Sequence, residues 1–140
     1  MDTASSLLEA VDQVSWASYG GSEYYSPSEP PLAFRKLVSA QNESDATSAY
    51  NKMLFAIGNN HAGSYYPAAR PAVPLLVQAA VVLSGWSRST AVEILTDLTI
   101  SFQPEDGETE ILDVFVEAVE RQTGCSPADP QAALELLRSS

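Results

Sequence analysis

Residues 71–83, Pro-Ala-Val-Pro-Leu-Leu-Val-Gln-Ala-Ala-Val-Val-Leu, hold one polar side chain, Gln78, and no charge. A helix that is apolar on nearly every side must be covered on nearly every side. The rest of the chain therefore has to be arranged around this segment, with the tyrosine-bearing loop from Asn59 to Tyr66 delivered directly onto its start. At 13 residues the segment is shorter than the ~20 that a bilayer span needs, and it carries two prolines, so burial within protein is the reading that fits. Pro71 suits a first helical turn, while Pro74 removes one backbone hydrogen bond and is expected to kink the start of the helix.

Ahead of that centre, Leu7, Leu8, Val11 and Val14 recur at helical spacing and predict a first helix from Ser5 to about Val14. A loop follows, from Trp16 to Pro27, rich in Gly and Ser but carrying Trp16, Tyr19, Tyr24 and Tyr25. Either Trp16 and Tyr19 pin the first helix to the core, or the aromatics form a patch that faces a partner, since Trp and Tyr are favoured interface anchors. Ser28-Glu29-Pro30-Pro31 places prolines where a helix start needs no donor, and Leu32, Phe34, Leu37 and Val38 carry that second helix to about Ala40. Asn42 or Ser44 is expected to cap a third helix through Tyr50, Met53, Leu54 and Ile57, with Gly58 ending it.

Beyond the central helix, Gly85 is a natural terminator and Trp86 leads into a fifth helix, capped by Ser87 or Ser89, with Ala91, Ile94, Leu95, Leu98 and Phe102 as its apolar stripe. Pro104-Glu105-Asp106-Gly107-Glu108 reads as a turn. A sixth helix is expected from Glu110 to about Thr123, with Ile111, Leu112, Phe115, Val116 and Val119 inward and Gly124 as its stop. Ser126-Pro127-Ala128-Asp129 then caps a short last helix carrying Ala133, Leu134 and Leu137. No stretch alternates with the period of two that marks a strand. The expectation is one all-α domain over residues 1–140, six or seven helices stacked as antiparallel pairs.

Composition narrows the function. Seven Lys and Arg stand against 18 Asp and Glu, a formal charge of −11. Such a surface repels nucleic acid and anionic lipid and favours encounter with a basic protein. Residues 1–70 hold seven acids and four bases, whereas residues 71–140 hold 11 acids and three bases, so the field is concentrated in the C-terminal half. The same charge would also serve solubility alone. Cys125 is the only cysteine and His61 the only histidine, which exclude an intrachain disulfide, a thiolate cluster and a two-histidine metal site. No phosphate-cradling glycine loop, Gly-x-Ser-x-Gly elbow, His-Glu-x-x-His or EF-hand spacing occurs. No cofactor and no metal are expected. Met1-Asp2-Thr3-Ala4 lacks a basic residue ahead of an apolar run, so no signal peptide and a cytoplasmic location are expected.

The block from His61 to Leu76, His-Ala-Gly-Ser-Tyr-Tyr-Pro-Ala-Ala-Arg-Pro-Ala-Val-Pro-Leu-Leu, resembles bacterial HEAT-like repeat proteins that carry His-Gln-Gly-Thr-x-Tyr followed by Ala-Val-Pro-Phe-Leu. Trp16-Ala17-Ser18-Tyr19-Gly20 is similar to an upstream segment of the same proteins. The likeness spans about residues 10–83. Ala62 stands where Gln is usual and Ser64 where Thr is usual, so the role of that Gln does not carry over. The resemblance implies a helical-repeat scaffold of about three helix pairs, of a kind used for binding or scaffolding.

Two functions follow as expectations. The first is a protein-binding module, an acidic immunity protein that neutralises a basic bacterial toxin, in which Glu105, Asp106, Glu108, Glu110 and Asp113 steer and pair while Tyr24, Tyr25 and Tyr65 anchor. A general HEAT-like scaffold or regulatory subunit is the alternative within that class. The second is a small hydrolase using His61 with Asn60 and either Tyr65 or Tyr66 beside the central helix. On a regular backbone the two tyrosines face different ways, one into the core and one outward.

Overall fold

The computed structural model describes residues 3–19, 24–59, 63–101, 103–104 and 111–139. These residues form an all-α stack of seven helices: α1 (Thr3–Asp12), α2 (Glu29–Val38), α3 (Glu43–Ile57), α4 (Ala69–Val82), α5 (Gly85–Ile100), α6 (Leu112–Thr123) and α7 (Pro130–Ser139). The apolar stretch is α4, and its Ala72, Val73, Leu75, Leu76, Val77, Ala79 and Ala80 are all buried. It packs against α1, α5 and α6, while α5 packs against α2, α3, α4 and α7. This neighbour pattern places α1, α4 and α6 in one row and α3, α5 and α7 in the other, with α2 closing the end between α1 and α3. A helix with partners on three sides needs the uniform apolarity that the sequence of α4 shows.

The helix ends follow local chemistry. Asn42 Oδ1 accepts from the Asp45 N–H at 2.8 Å, and Asp45 Oδ2 accepts from the Gln41 N–H at 3.2 Å, two bonds that secure the start of α3. Asp129 does the same for α7, accepting from the Ala132 N–H at 2.9 Å. Gly124 ends α6 in the left-handed conformation, φ 78°, where an L side chain is strained. Pro71 is the third residue of α4 and Pro74 lies inside it, so the carbonyl of the exposed Arg70 loses its helical donor.

Four details depart from the sequence expectations. Gly85 does not terminate α4; it is the first residue of α5, whose N-cap is Ser84, and Ser87 and Ser89 lie within the helix. Ser87 is buried, and its hydroxyl donates to the Leu37 carbonyl at 2.8 Å, so it joins α5 to α2. Leu32, counted into the apolar stripe of α2, is 49% exposed, and Pro30, Ala33, Phe34 and Leu37 form the inner face instead. A small sheet is present where no strand was expected. β1 (Gly58–Asn59) pairs antiparallel with β2 (Ser64–Tyr65), and β2 pairs parallel with β3 (Gln103–Pro104). Strands of two residues are too short to leave an alternating pattern.

The aromatic loop is structural in large part. Trp16 is buried, its Nε1–H donates to the Val11 carbonyl at 2.9 Å, and its ring lies 6.4 Å from that of Phe34. Tyr25 is half-buried; its hydroxyl donates to the Trp16 carbonyl at 2.7 Å and its ring meets the Tyr66 ring edge-on at 5.7 Å. Burial first, and then the neighbouring Tyr19 phenol, push the Tyr25 hydroxyl up to about 12. The folded state thus keeps a proton that the unfolded chain releases near ~10. Stability is fully present below that value and falls as pH rises from it towards 12. Denaturant melts across this alkaline range are expected to show that decline. Tyr25→Phe is expected to start about 1 kcal/mol lower for the lost hydrogen bond but to fall less steeply.

Candidate protein-binding face

Of the expected contact residues, Glu105, Asp106, Glu108 and Glu110 lie outside the described residues, as do Asn60 and His61. Asp113 is exposed in the first turn of α6, at the edge of a shallow groove between α6 and the start of α7 that also contains Glu117, Glu120 and Asp129. Arg121 lines the same groove and pairs with Glu117 at 3.3 Å. Tyr24 is 70% exposed. Tyr25 is committed to the Trp16 carbonyl, and Tyr65 is only 3% exposed, so neither presents a free surface. Tyr66 is equally buried, and the expectation that one of the two tyrosines faces outward does not hold. The chain bends there: the Tyr66 N–H donates to the Ile57 carbonyl and the Ala69 N–H to the Tyr66 carbonyl, which turns both rings inward. Asp113 and Tyr24 belong to different ends of the stack, since α6 packs on α4 and α7 whereas α2, which follows Tyr24, packs on α1, α3 and α5.

A better-formed surface lies between α3 and α5, a groove of about 540 Å³. The two helices run in the same direction along it. Glu43 and Trp86, near the two N-termini, line its beginning, and further on the Tyr50 hydroxyl donates to Asp97 Oδ2. Asn51 and Glu93 stand between. Trp86 is 45% exposed although it is one of the most apolar side chains in the protein. Phe55, one turn beyond Asn51 on α3, and Ile100, one turn beyond Asp97 on α5, extend the same line and are 64% and 57% exposed. Three of the five large exposed apolar side chains among the described residues thus lie on α3 and α5, with Trp86 lining the groove itself.

The electrostatics of the groove are one-signed. The only base on α3, Lys52, bonds to Glu29 on α2 at 2.7 Å, and the only base on α5, Arg88, donates to the Leu137 carbonyl on α7. Among the described residues no ion pair involves Glu43 or Glu93. The Tyr50 hydroxyl is held well above its ordinary range by burial first, then by its hydrogen bond to Asp97, then by the charges of Asp97 and Glu93. It therefore remains a proton donor to Asp97 at any physiological pH.

The sequence carries this groove only in part. Trp86, Ser89, Glu93, Asp97 and Ile100 share one helix face, as do Glu43, Thr47, Asn51 and Phe55. What the sequence does not contain is that these two faces meet.

Among the described residues no cluster of three His, Cys, Asp or Glu side chains is arranged to hold a metal ion. No helix among them is long and apolar enough to cross a membrane. Comparison with protein-family models, with curated proteins and with solved structures finds no match for this chain. The likeness to HEAT-like repeat proteins accordingly rests on the residues quoted for it.

Proposed function

We propose that this chain is a protein-binding module for a basic partner, of the HEAT-like scaffold kind that its sequence resembles. The observation that carries the reading is the joining of a formal charge of −11 to an exposed aromatic and carboxylate-lined groove without a free base. A one-signed field speeds encounter with an oppositely charged protein, and exposed aromatic side chains supply the short-range contact area that a field alone lacks. The acidic residues Glu105, Asp106, Glu108, Glu110 and Asp113 add to the field on the C-terminal half. Within this class we favour an immunity protein, because a basic secreted toxin is the partner that a small, strongly acidic chain is suited to block.

Affinity capture of the tagged chain from its native cells tests the reading. A single basic protein is expected in stoichiometric amount, released by raising the salt concentration. Recovery of an acidic or neutral partner that is insensitive to salt would count against it. His61→Ala is expected to leave capture and biological activity intact; abolition of activity with retained folding would instead favour the hydrolase.

A further inference from the structure

Resting on the reading of the chain as a binder of a basic protein, we propose that the α3–α5 groove is the docking site for an arginine side chain on an exposed segment of that partner. Three features select this occupant. The first is Trp86, whose exposed indole offers a face on which a guanidinium stacks favourably. The second is the pair of flanking carboxylates, Glu43 and Glu93, which have no ion pair among the described residues and accept hydrogen bonds in the forked geometry that guanidinium presents. The third is the absence of a competing base, since Lys52 and Arg88 are committed to other faces of their helices.

Lysine would satisfy the charge but not the stacking plane or the fork. The α6–α7 groove is also acidic, but it contains Arg121 and no aromatic side chain, so it lacks both selecting features. Tyr50 acts as a positioning residue: its hydroxyl donates to Asp97 and so occupies that carboxylate, which leaves Glu93, a lining residue of the groove, as the acceptor on α5. Phe55 and Ile100 provide apolar contact for residues beside the arginine.

The test uses two short peptides, one alternating Gly and Arg and the other alternating Gly and Lys, titrated into the isotope-labelled full chain and followed by NMR. The Trp86 indole N–H and the amides of Glu43 and Glu93 are expected to shift saturably. The Trp16 indole, buried and bonded to the Val11 carbonyl, is expected to stay in place. The Arg peptide should bind several-fold more tightly than the Lys peptide, by about threefold or more. Trp86→Ala should weaken it by about tenfold and Glu93→Gln by about threefold or more, while Glu9→Gln, the same charge change on α1, should alter it less than about twofold.

Both Trp86 and Glu93 are exposed, so these variants are expected to fold, and unchanged melting curves check that they do. Equal weakening by Glu93→Gln and Glu9→Gln, or peptide binding without movement of Trp86, would overturn the groove assignment while leaving the basic-partner reading in place. A Trp86 shift that depends on protein concentration without peptide would assign the groove to a second copy of the chain and overturn the proposal. Failure of both peptides to bind, together with capture of a partner that is not basic, would overturn the proposal and the reading beneath it.

Discussion

Leu76→Ala is expected to lower the stability of the fold by about 3 kcal/mol and its melting temperature by about 10 °C. Leu76 is fully buried near the middle of α4, the helix that packs against α1, α5 and α6 at once. Truncation there removes apolar area from water and also leaves a cavity, because helices held from three sides have little freedom to close on it. The informative contrast is Leu32→Ala. Leu32 is 49% exposed on α2, and its loss is expected to change stability by less than about 0.5 kcal/mol. Urea melts of the two variants check both values. Comparable losses would mean that α4 is not the centre of the packing.

A second large effect is expected at Gly58, where α3 gives way to the small sheet. Its backbone is extended, φ −163°, so any residue could adopt that conformation. The constraint is space: a Cβ on Gly58 would lie 2.6 Å from the Ser64 carbonyl oxygen and 3.2 Å from the Tyr65 Cα. Both are backbone atoms of the paired strand β2, which cannot swing aside as a flexible side-chain tip would. Gly58→Ala is therefore expected to destabilise by about 2 kcal/mol, and Gly58→Val by more, through separation of β1 from β2. Hydrogen exchange should show the loss first at the Tyr66 N–H, which donates to the Ile57 carbonyl at 2.8 Å. A variant as stable as the parent would show that β1 and β2 are not held at this spacing.

The two effects differ in how far they could be read from the chain. The helices were legible because their signals are local. The spacing of Ile94, Leu95 and Leu98, the cap at Asn42 and the stop at Gly124 each lie within a few residues of the feature they specify. The uniform apolarity of residues 71–83 announced a central helix for the same reason. Ser87 shows the limit. It resembles a cap in sequence, yet its hydroxyl bonds to the carbonyl of Leu37, 50 residues away, and Ser84 takes the cap position. Gly58 could be recognised as a helix end, but its close approach to Ser64 belongs to the sheet, whose strands are too short for any periodicity to show. Tyr65 and Tyr66 both turn inward because the chain bends between β2 and α4, so the alternation of a regular backbone does not apply.

The candidate site divides along the same line. Excess acid is plain from composition, whereas the 70% exposure of Tyr24 could not be read from its sequence neighbours. The groove was not legible, because Glu43 and Trp86 become neighbours only when α3 and α5 pack side by side. A lone Trp near the start of a helix reads as core by default. Its exposure is a tertiary fact.

If the acidic field of this chain draws in a basic protein, the association rate with the captured partner must depend on ionic strength. The rate is expected to fall steeply as salt is raised, and reversal of Glu105, Asp106, Glu108 and Glu110 to Lys is expected to slow association at low salt and flatten that dependence. An association rate indifferent to salt, and unchanged by the reversal, would contradict it.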